Sequence, residues 1–120
     1  MKPLIDRTEF GSITISGVLY DYDVVIRLGG DIKKRKKKLS KAKYGTSHKI
    51  SLEEAESIFE KGAERLVIGT GQYNQVKLSN RASEFFRENR CEVQLLGTPK
   101  AAKAWNEAKG AVIGMFHVTC

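Results

Sequence analysis

The chain has 120 residues, of which 41% are hydrophobic and 8% aromatic, enough to build one domain around a single core. No apolar stretch approaches the roughly 18 residues of a membrane span, and the first six residues lack the apolar centre of a signal peptide. We therefore expect a cytoplasmic protein with no membrane contact, whose net charge of +7 must be explained by some other partner or by solvation.

The whole positive excess lies in one segment. Residues 31–43 contain eight of the 21 Lys and Arg residues and one of the 14 Asp and Glu residues, so the rest of the chain is balanced. Such a run is either a solvated sheet edge or a contact surface for a polyanion. Because it has a single arginine and no interleaved aromatic side chains to read bases, any nucleic-acid binding through residues 33–43 is expected to be weak. The candidate polyanion contacts are Lys33, Lys34, Arg35, Lys36, Lys37 and Lys38.

The first third of the chain has the pattern of an antiparallel sheet. Residues 13–20 alternate between apolar and polar around Ser16-Gly17, which predicts a β-hairpin. Residues 22–28 form a second β-branched run, closed by Gly29-Gly30. The lysine run that follows has one apolar anchor, Leu39, and no amphipathic stripe, so we predict an extended segment or a sheet edge.

From residue 51 onward, helices and strands are predicted to alternate. Ser51 and Glu54 form a predicted capping box, and Ser79 and Thr98-Pro99 predict the starts of two further helices. The intervening apolar runs predict strands at residues 66–68, 91–96 and 111–120. This order predicts a parallel or mixed sheet covered by helices. The fold class is therefore a single α/β domain over residues 1–120, with an N-terminal β-hairpin.

A candidate ligand site follows the strand that ends in Gly69-Thr70-Gly71. It is not a dinucleotide fingerprint, because Asn74 replaces the third glycine and the next helix begins too late. In α/β sheets, ligands bind beyond the carboxyl ends of strands, and a helix N-terminus favours an anion. We expect a small anion near Thr70, Gly71 and Thr98 if the loop over residues 44–48 folds over this edge; the alternative is a set of capped turns. The candidate ligand-binding residues are Tyr44, Gly45, Thr46, Ser47, His48, Gly69, Thr70, Gly71, Tyr73 and Thr98.

No catalytic residue, metal ligand or cofactor is assigned. A hydroxyl of Thr46 or Ser47 beside His48 suggests a nucleophile and a base, but sequence neighbours rarely have the required geometry. His117 and Cys120 would point to opposite faces of a strand, and two ligands are too few for a closed zinc site. Cys91 and Cys120 are expected to be free thiols in a reducing compartment.

Several short motifs, taken in order and spacing, resemble the Mth938-domain family across nearly the whole chain. They are Phe10-Gly11, Lys-Tyr-Gly-Thr-Ser-His at 43–48, Ile-Gly-Thr-Gly at 68–71, Thr98-Pro99, Trp105-Asn106 and Phe-His-Val-Thr-Cys at 116–120. The resemblance implies a three-layer α/β fold around a mixed sheet in which one strand runs against the others. Archaeal and bacterial members have no known activity, whereas eukaryotic relatives are linked to adipogenesis and to assembly of mitochondrial complex I. These links imply an interaction role.

The leading hypothesis is a non-enzymatic cytoplasmic binding or assembly module with a small pocket beside the Gly69-Thr70-Gly71 loop, whose partner is a protein or a small anion. One alternative is an enzyme that acts on a small anionic metabolite at the same loops. A second alternative is weak nucleic-acid binding through residues 33–43.

Overall fold

The computed structural model describes residues 2–120, which form ten strands and four helices. The strands are β1 (Ile5–Glu9), β2 (Ser12–Ile15), β3 (Val18–Tyr20), β4 (Val24–Ile26), β5 (Ile32–Lys34), β6 (Lys49–Ile50), β7 (Arg65–Gly69), β8 (Lys77–Leu78), β9 (Glu92–Leu96) and β10 (Val112–Phe116). The helices are α1 (Lys38–Tyr44), α2 (Leu52–Ile58), α3 (Asn80–Glu88) and α4 (Thr98–Glu107).

The central sheet has five strands in the order β5-β4-β10-β7-β9. Strands β10, β7 and β9 are parallel, and β4 pairs antiparallel with both β10 and β5. One strand, β4, therefore runs against the other four, as the family resemblance implied. The predicted α/β class with a mixed sheet is confirmed. The predicted hairpin is also present: β2 pairs with β3 and, on its other side, with β1.

The central sheet has an apolar layer on each face. The side chains of β7 alternate, so that Val67 packs in one cluster with Trp105 of α4 and with the N-terminal strands. Leu66 and Ile68 pack in a second cluster that includes Phe86 of α3 and residues of α2. Burial on both faces explains why β10, and β7 after its first residue Arg65, are continuously apolar in sequence. The result is a three-layer domain.

Two helix starts agree with the predicted caps. The Ser51 hydroxyl accepts the Glu54 amide and the Ser79 hydroxyl accepts the Ala82 amide, each at 3.1 Å. The other half of the predicted capping box is wrong, because the Glu54 carboxylate bonds to Arg35 and Ser40, and the Ser51 amide donates to the hydroxyl of Ser40 instead.

At the start of α4 the predicted cap is wrong by one residue. The residue that precedes the helix is Gly97, and Thr98 is the first helical residue. The Thr98 side chain is free for longer-range contacts because it does not cap its own helix.

The lysine run is partly extended and partly helical. Its beginning forms β5, which is an edge strand as predicted. Its end forms α1, which the sequence pattern did not predict. The only buried residue of α1 is Ser40, whose hydroxyl bonds to the carboxylate of Glu54. A polar contact to α2, rather than an apolar stripe, therefore anchors this helix.

Candidate functional site

The loops after β7 and β9 meet at one edge of the central sheet. The Gly71 amide donates to the Thr98 hydroxyl at 2.9 Å, and the Thr98 amide donates to the Gly71 carbonyl at 3.1 Å. This arrangement agrees with the expectation that both loops open at the carboxyl edge of neighbouring parallel strands.

Residues 117–120 of the same chain lie against this loop. The Gln72 amide donates to the Thr119 carbonyl at 2.7 Å, and the Tyr73 and Gln75 amides donate to the Cys120 carbonyl at 3.1 and 3.3 Å. A Cβ atom at Gly71 would lie 2.2 Å from the carbonyl carbon of Cys120. Three backbone donors of this loop are thus already paired within the chain.

The two threonines of the expected anion site are also paired. The Thr98 hydroxyl donates to the His117 carbonyl at 2.7 Å, and the Thr70 hydroxyl bonds to Asn74. Thr70, Gly71 and Thr98 are all buried. An anion at these residues would have to displace part of the chain, so the accessible part of the edge is formed by other side chains.

At the same edge lie His48, His117 and Cys120, which we call the His-His-Cys cluster. His48 and Cys120 are partly exposed, whereas His117 is buried. One potential ligand atom from each residue lies within 4.8 Å of the others. The sequence argument that His117 and Cys120 face opposite ways is wrong, because β10 ends at Phe116 and the chain then leaves the sheet. The same argument also omitted His48, whose Nε2 lies 4.0 Å from the Cys120 sulfur.

The loop over residues 44–48 does fold over this edge. The Gly45 amide ends α1 by donating to Lys41, and the Thr46 hydroxyl accepts the His48 amide. The His48 carbonyl accepts the Lys77 amide at 2.7 Å and ties the loop to β8. As a result, the His48 ring packs edge-to-face on His117, with their centroids 5.4 Å apart.

The two candidate tyrosines make other contacts. The Tyr44 ring stacks under the Lys49 ammonium group, which is 4.5 Å from the ring centroid. The Tyr73 ring lies 6.1 Å from that of Phe10, and both rings are largely exposed. Of the candidate side chains, only His48 therefore enters the cluster, whereas Ser47 contributes its carbonyl to the network described next.

A buried ion-pair network lies behind the cluster. The Arg35 guanidinium donates to Asp23 at 2.9 Å, to Glu54 at 2.6 and 3.1 Å, and to the Ser47 carbonyl at 2.5 Å. Its side chain is 0% exposed. Arg35, one of the candidate polyanion contacts, is therefore not accessible to an external anion, because two carboxylates and a carbonyl already surround it.

Asp23 links this network to the cluster. Its Oδ2 lies 2.7 Å from His117 Nδ1, and its Oδ1 accepts the Val118 amide at 2.9 Å. Sequence reasoning did not identify Asp23, Glu54 or His117 as members of one unit. The available signal was Arg35 itself, the one arginine in a lysine run, because arginine is the cation suited to buried, multiply bonded ion pairs.

The network shifts the pKa values of its members in opposite directions. Burial raises the pKa of Asp23, but the hydrogen bond and charge of His117, the Val118 amide and the Arg35 charge outweigh it, and the net pKa is lowered. Burial lowers the pKa of Arg35, but Glu54 and Asp23 more than compensate, and the net pKa is raised. The pKa of His48 is lowered by burial and by the charges of His117 and Arg35, against an opposing effect of Asp23. The net effect favours the neutral imidazole of His48.

The His117 ring connects the Thr119 hydroxyl to the Asp23 carboxylate. The Thr119 hydroxyl is 3.2 Å from His117 Nε2, and Nδ1 of the same ring contacts Asp23. This connectivity of hydroxyl, imidazole and carboxylate resembles that of a nucleophile, a base and an orienting acid. The cluster can also offer two imidazoles and a thiol to a metal ion.

A separate basic surface surrounds the edge strand β5. A groove of about 510 Å³ is lined by Val25, Arg27, Asp31, Lys33, Lys34, Lys36 and Ser57. A second groove of about 470 Å³ is lined by residues 34–39. The five predicted lysine contacts are exposed, and among residues 2–120 none of them forms a salt bridge. Their ammonium groups are therefore accessible to an external anion.

Both cysteines are unbridged, as expected. Burial raises the pKa of Cys91 to about 11. Over residues 2–120, no helix has both the length and the apolar character needed to cross a bilayer.

The chain is similar to proteins whose names give no activity. A model of the family "Protein of unknown function (DUF498/DUF598)" matches residues 5–117. The conserved hypothetical protein PH1505 from Pyrococcus horikoshii OT3 is 34% identical over all of both chains, with a TM-score of 0.88. The protein MT938 is 33% identical over 99% of this chain and 100% of its own, with a TM-score of 0.83.

A more distant structure shows the same fold. A protein from Bordetella pertussis, described as a Mth938-like domain, is 15% identical over 97% of this chain and 85% of its own, with a TM-score of 0.64. The resemblance to the Mth938-domain family is confirmed.

Proposed function

The chain belongs to the DUF498/DUF598 family of proteins of unknown function, and we propose that it acts as a non-enzymatic cytoplasmic binding module. Its binding surface would be the sheet edge beside the Gly69-Thr70-Gly71 loop, with the His-His-Cys cluster at the centre. The partner would be a protein or a small ligand that this edge holds.

The observation that carries the proposal is the buried ion-pair network, which joins separate parts of the chain at this edge. Arg35 after β5, Asp23 before β4 and Glu54 of α2 form one buried unit, which holds His117 and the Ser47 carbonyl in place. Buried ion pairs are costly to desolvate and contribute little net stability relative to apolar packing. Their use here is better explained by the need to pre-organise the side chains in front of them.

Exposed aromatic side chains beside the cluster support the same proposal. Phe10 is 61% exposed and Tyr73 is 69% exposed, and their rings are in contact. The Gly11 amide donates to the Val118 carbonyl at 2.7 Å, which places this pair next to the strand end that carries His117. Exposed aromatic residues are enriched in the central parts of protein interfaces.

Binding without catalysis is favoured because the amides of the loop after β7 are already hydrogen-bonded. Acyl transfer at Thr119 would require free amide donors to stabilise an oxyanion. Three amides of the adjoining loop, those of Gln72, Tyr73 and Gln75, already donate to carbonyls of residues 119 and 120. Without a donor pair, the Thr119-His117-Asp23 arrangement lacks a part that such catalysis needs.

Replacement of Tyr73 tests the proposal. Tyr73→Ala is expected to weaken binding of the partner recovered by wild-type protein by about 30-fold, because truncation of a central interface tyrosine costs about 2 kcal/mol. The partner would be identified by quantitative mass spectrometry of proteins and small molecules retained by the immobilised chain, and its affinity would then be measured with purified material. Leu19→Ala, a change at a residue of β3 that is 61% exposed, is the matched control. Equal affinities for all three proteins would contradict the proposal.

The open grooves around β5 favour a second candidate function, the binding of a polyanion. Lys33, Lys34 and Lys36 line one groove, and Asp31 is the only carboxylate that lines it. Unpaired, exposed ammonium groups can release the counterions of a phosphate backbone without first breaking internal ion pairs.

Salt dependence tests this second function. Binding to duplex DNA is expected to be indifferent to sequence, and the combined change of Lys34, Lys36 and Lys38 to Gln should reduce the slope of log K against log salt by roughly 0.9 for each phosphate that is no longer neutralised. The control replaces Lys100, Lys103 and Lys109 with Gln, which removes the same charge from α4 and its end. If both triple variants change the slope equally, net charge rather than this surface is responsible.

A further inference from the structure

We propose that the His-His-Cys cluster binds one zinc(II) ion, with His48, His117 and Cys120 as its protein ligands. The inference rests on the binding role proposed above, since it names the chemical class of ligand at the same edge of the sheet.

The spacing of the three groups is close to that of a zinc site. Their ligand atoms all lie within 4.8 Å of one another, and the Cys120 sulfur is 4.0 Å from His48 Nε2. In a tetrahedral site with the usual Zn–S and Zn–N bond lengths, neighbouring ligand atoms are roughly 3.3–3.6 Å apart. Small movements of His48 and Cys120, both only partly buried, would bring the three atoms to that distance.

The ring of His117 is already oriented as in metal sites. Its Nδ1 lies 2.7 Å from the Asp23 carboxylate, which places the proton on Nδ1 and leaves the lone pair of Nε2 for an ion. Asp23 is in turn held by Arg35 and by the Val118 amide. The Thr119 hydroxyl is 3.2 Å from Nε2, and a bound ion would replace that contact.

The charges behind the cluster also favour a cation. The buried network contains two carboxylates, Asp23 and Glu54, and a single guanidinium, that of Arg35. With His117 neutral, as a metal ligand must be, these groups have a formal charge of minus one. Binding of zinc would release the Cys120 thiol proton to solvent, and the resulting thiolate would add a second negative charge.

Three protein ligands leave one coordination position open. Zinc sites of this type keep a water molecule or an external group in the fourth position. Because His48 and Cys120 lie at the surface, that position would face solvent, and a side chain of a partner or a small anion could fill it. The zinc ion would then attract the anion, a role that the sequence analysis assigned to the helix N-terminus.

Metal titration of tag-free, chelator-treated protein tests the site. Cobalt(II), used as a spectroscopic probe, is expected to bind one ion per chain with a thiolate-to-cobalt charge-transfer band, and zinc(II) is expected to displace it. Cys120→Ser should abolish that band, and both Cys120→Ser and His48→Gln should weaken zinc binding by at least about 100-fold. Cys91→Ala is the control, because it removes the other thiol and should leave band and affinity unchanged.

Several results would overturn the zinc site. These are the absence of saturable one-to-one binding in the wild type, a band that survives in Cys120→Ser, or a band that disappears in Cys91→Ala. Circular dichroism and the urea midpoint of each variant show whether it is folded, and because Cys120 is partly exposed its change to Ser is expected to leave both unchanged.

The failure of this proposal differs from the failure of the binding role. If zinc binding is absent while Tyr73→Ala still weakens the partner complex, only the metal site is wrong. If zinc binds as expected while Tyr73→Ala and the wild type bind the partner equally, only the aromatic binding surface is wrong.

Discussion

Arg35→Met is expected to reduce the free energy of unfolding by about 3–5 kcal/mol at pH 7, the usual cost of removing one partner from a buried ion pair. Methionine fills a similar volume but leaves Asp23 and Glu54 without their shared cation. Urea denaturation followed by circular dichroism measures the change. Arg27→Met is the matched control, because the Arg27–Glu60 pair is 3.3 Å apart but its side chains are 35% and 25% exposed. For that control we expect a loss of about 0–1 kcal/mol.

The pH dependence of the same pair of variants provides a second check. In the wild type the pKa of Asp23 is below its ordinary value of 3.8, so its contribution to stability is complete above that pH and is lost as the pH falls through the lower folded-state value. Arg35→Met removes one of the charges that lower this pKa. The difference in stability between wild type and variant should therefore be largest near neutral pH and become smaller below about pH 4. If Arg35→Met and Arg27→Met lose equal stability at every pH, the buried network contributes little to the free energy of unfolding.

The elements of the fold could be predicted because each was decided by near neighbours in the sequence. The caps at Ser51 and Ser79, the turn at Ser16-Gly17 and the apolar run of β7 are all local patterns. Two of the local failures have a common cause. Glu54 leaves its capping box, and α1 forms without an apolar stripe, because Arg35 and Ser40 make long-range contacts that no local pattern contains.

The candidate site could be predicted only in part. Parallel strands bring their carboxyl ends to one edge, and this rule correctly placed the loops of Gly71 and Thr98 together. The position of residues 117–120 depends on where β10 ends, and a continuous apolar pattern does not mark that end. For that reason, the sequence predicted an anion at the Gly71 loop, whereas residues 117–120 of the same chain lie there.

Gly71→Ala is expected to cause the second large loss of stability, because residues 117–120 pack against Gly71. Gly71 has a φ of +104°, so any side chain there is strained. Its new Cβ would also lie 2.2 Å from the Cys120 carbonyl carbon and 2.8 Å from the His117 ring. We expect the strain to cost about 1–2 kcal/mol and the overpacking a further 1–3 kcal/mol or so. Urea denaturation measures the sum.

Gly62→Ala separates the two contributions. Gly62 has a φ of +98°, close to that of Gly71, but the nearest atom to its Cβ position is Leu28 Cδ1 at 3.9 Å. It should therefore show the strain alone. In Gly71→Ala the displaced segment should also expose Cys120, so that its thiol reacts faster than in Gly62→Ala, while Cys91, buried and with a pKa of about 11, reacts slowly in both. If the two variants lose equal stability and Cys120 reacts equally in both, residues 117–120 do not fill the loop. The loop would then be open to the anion that the sequence predicts near Thr70, Gly71 and Thr98.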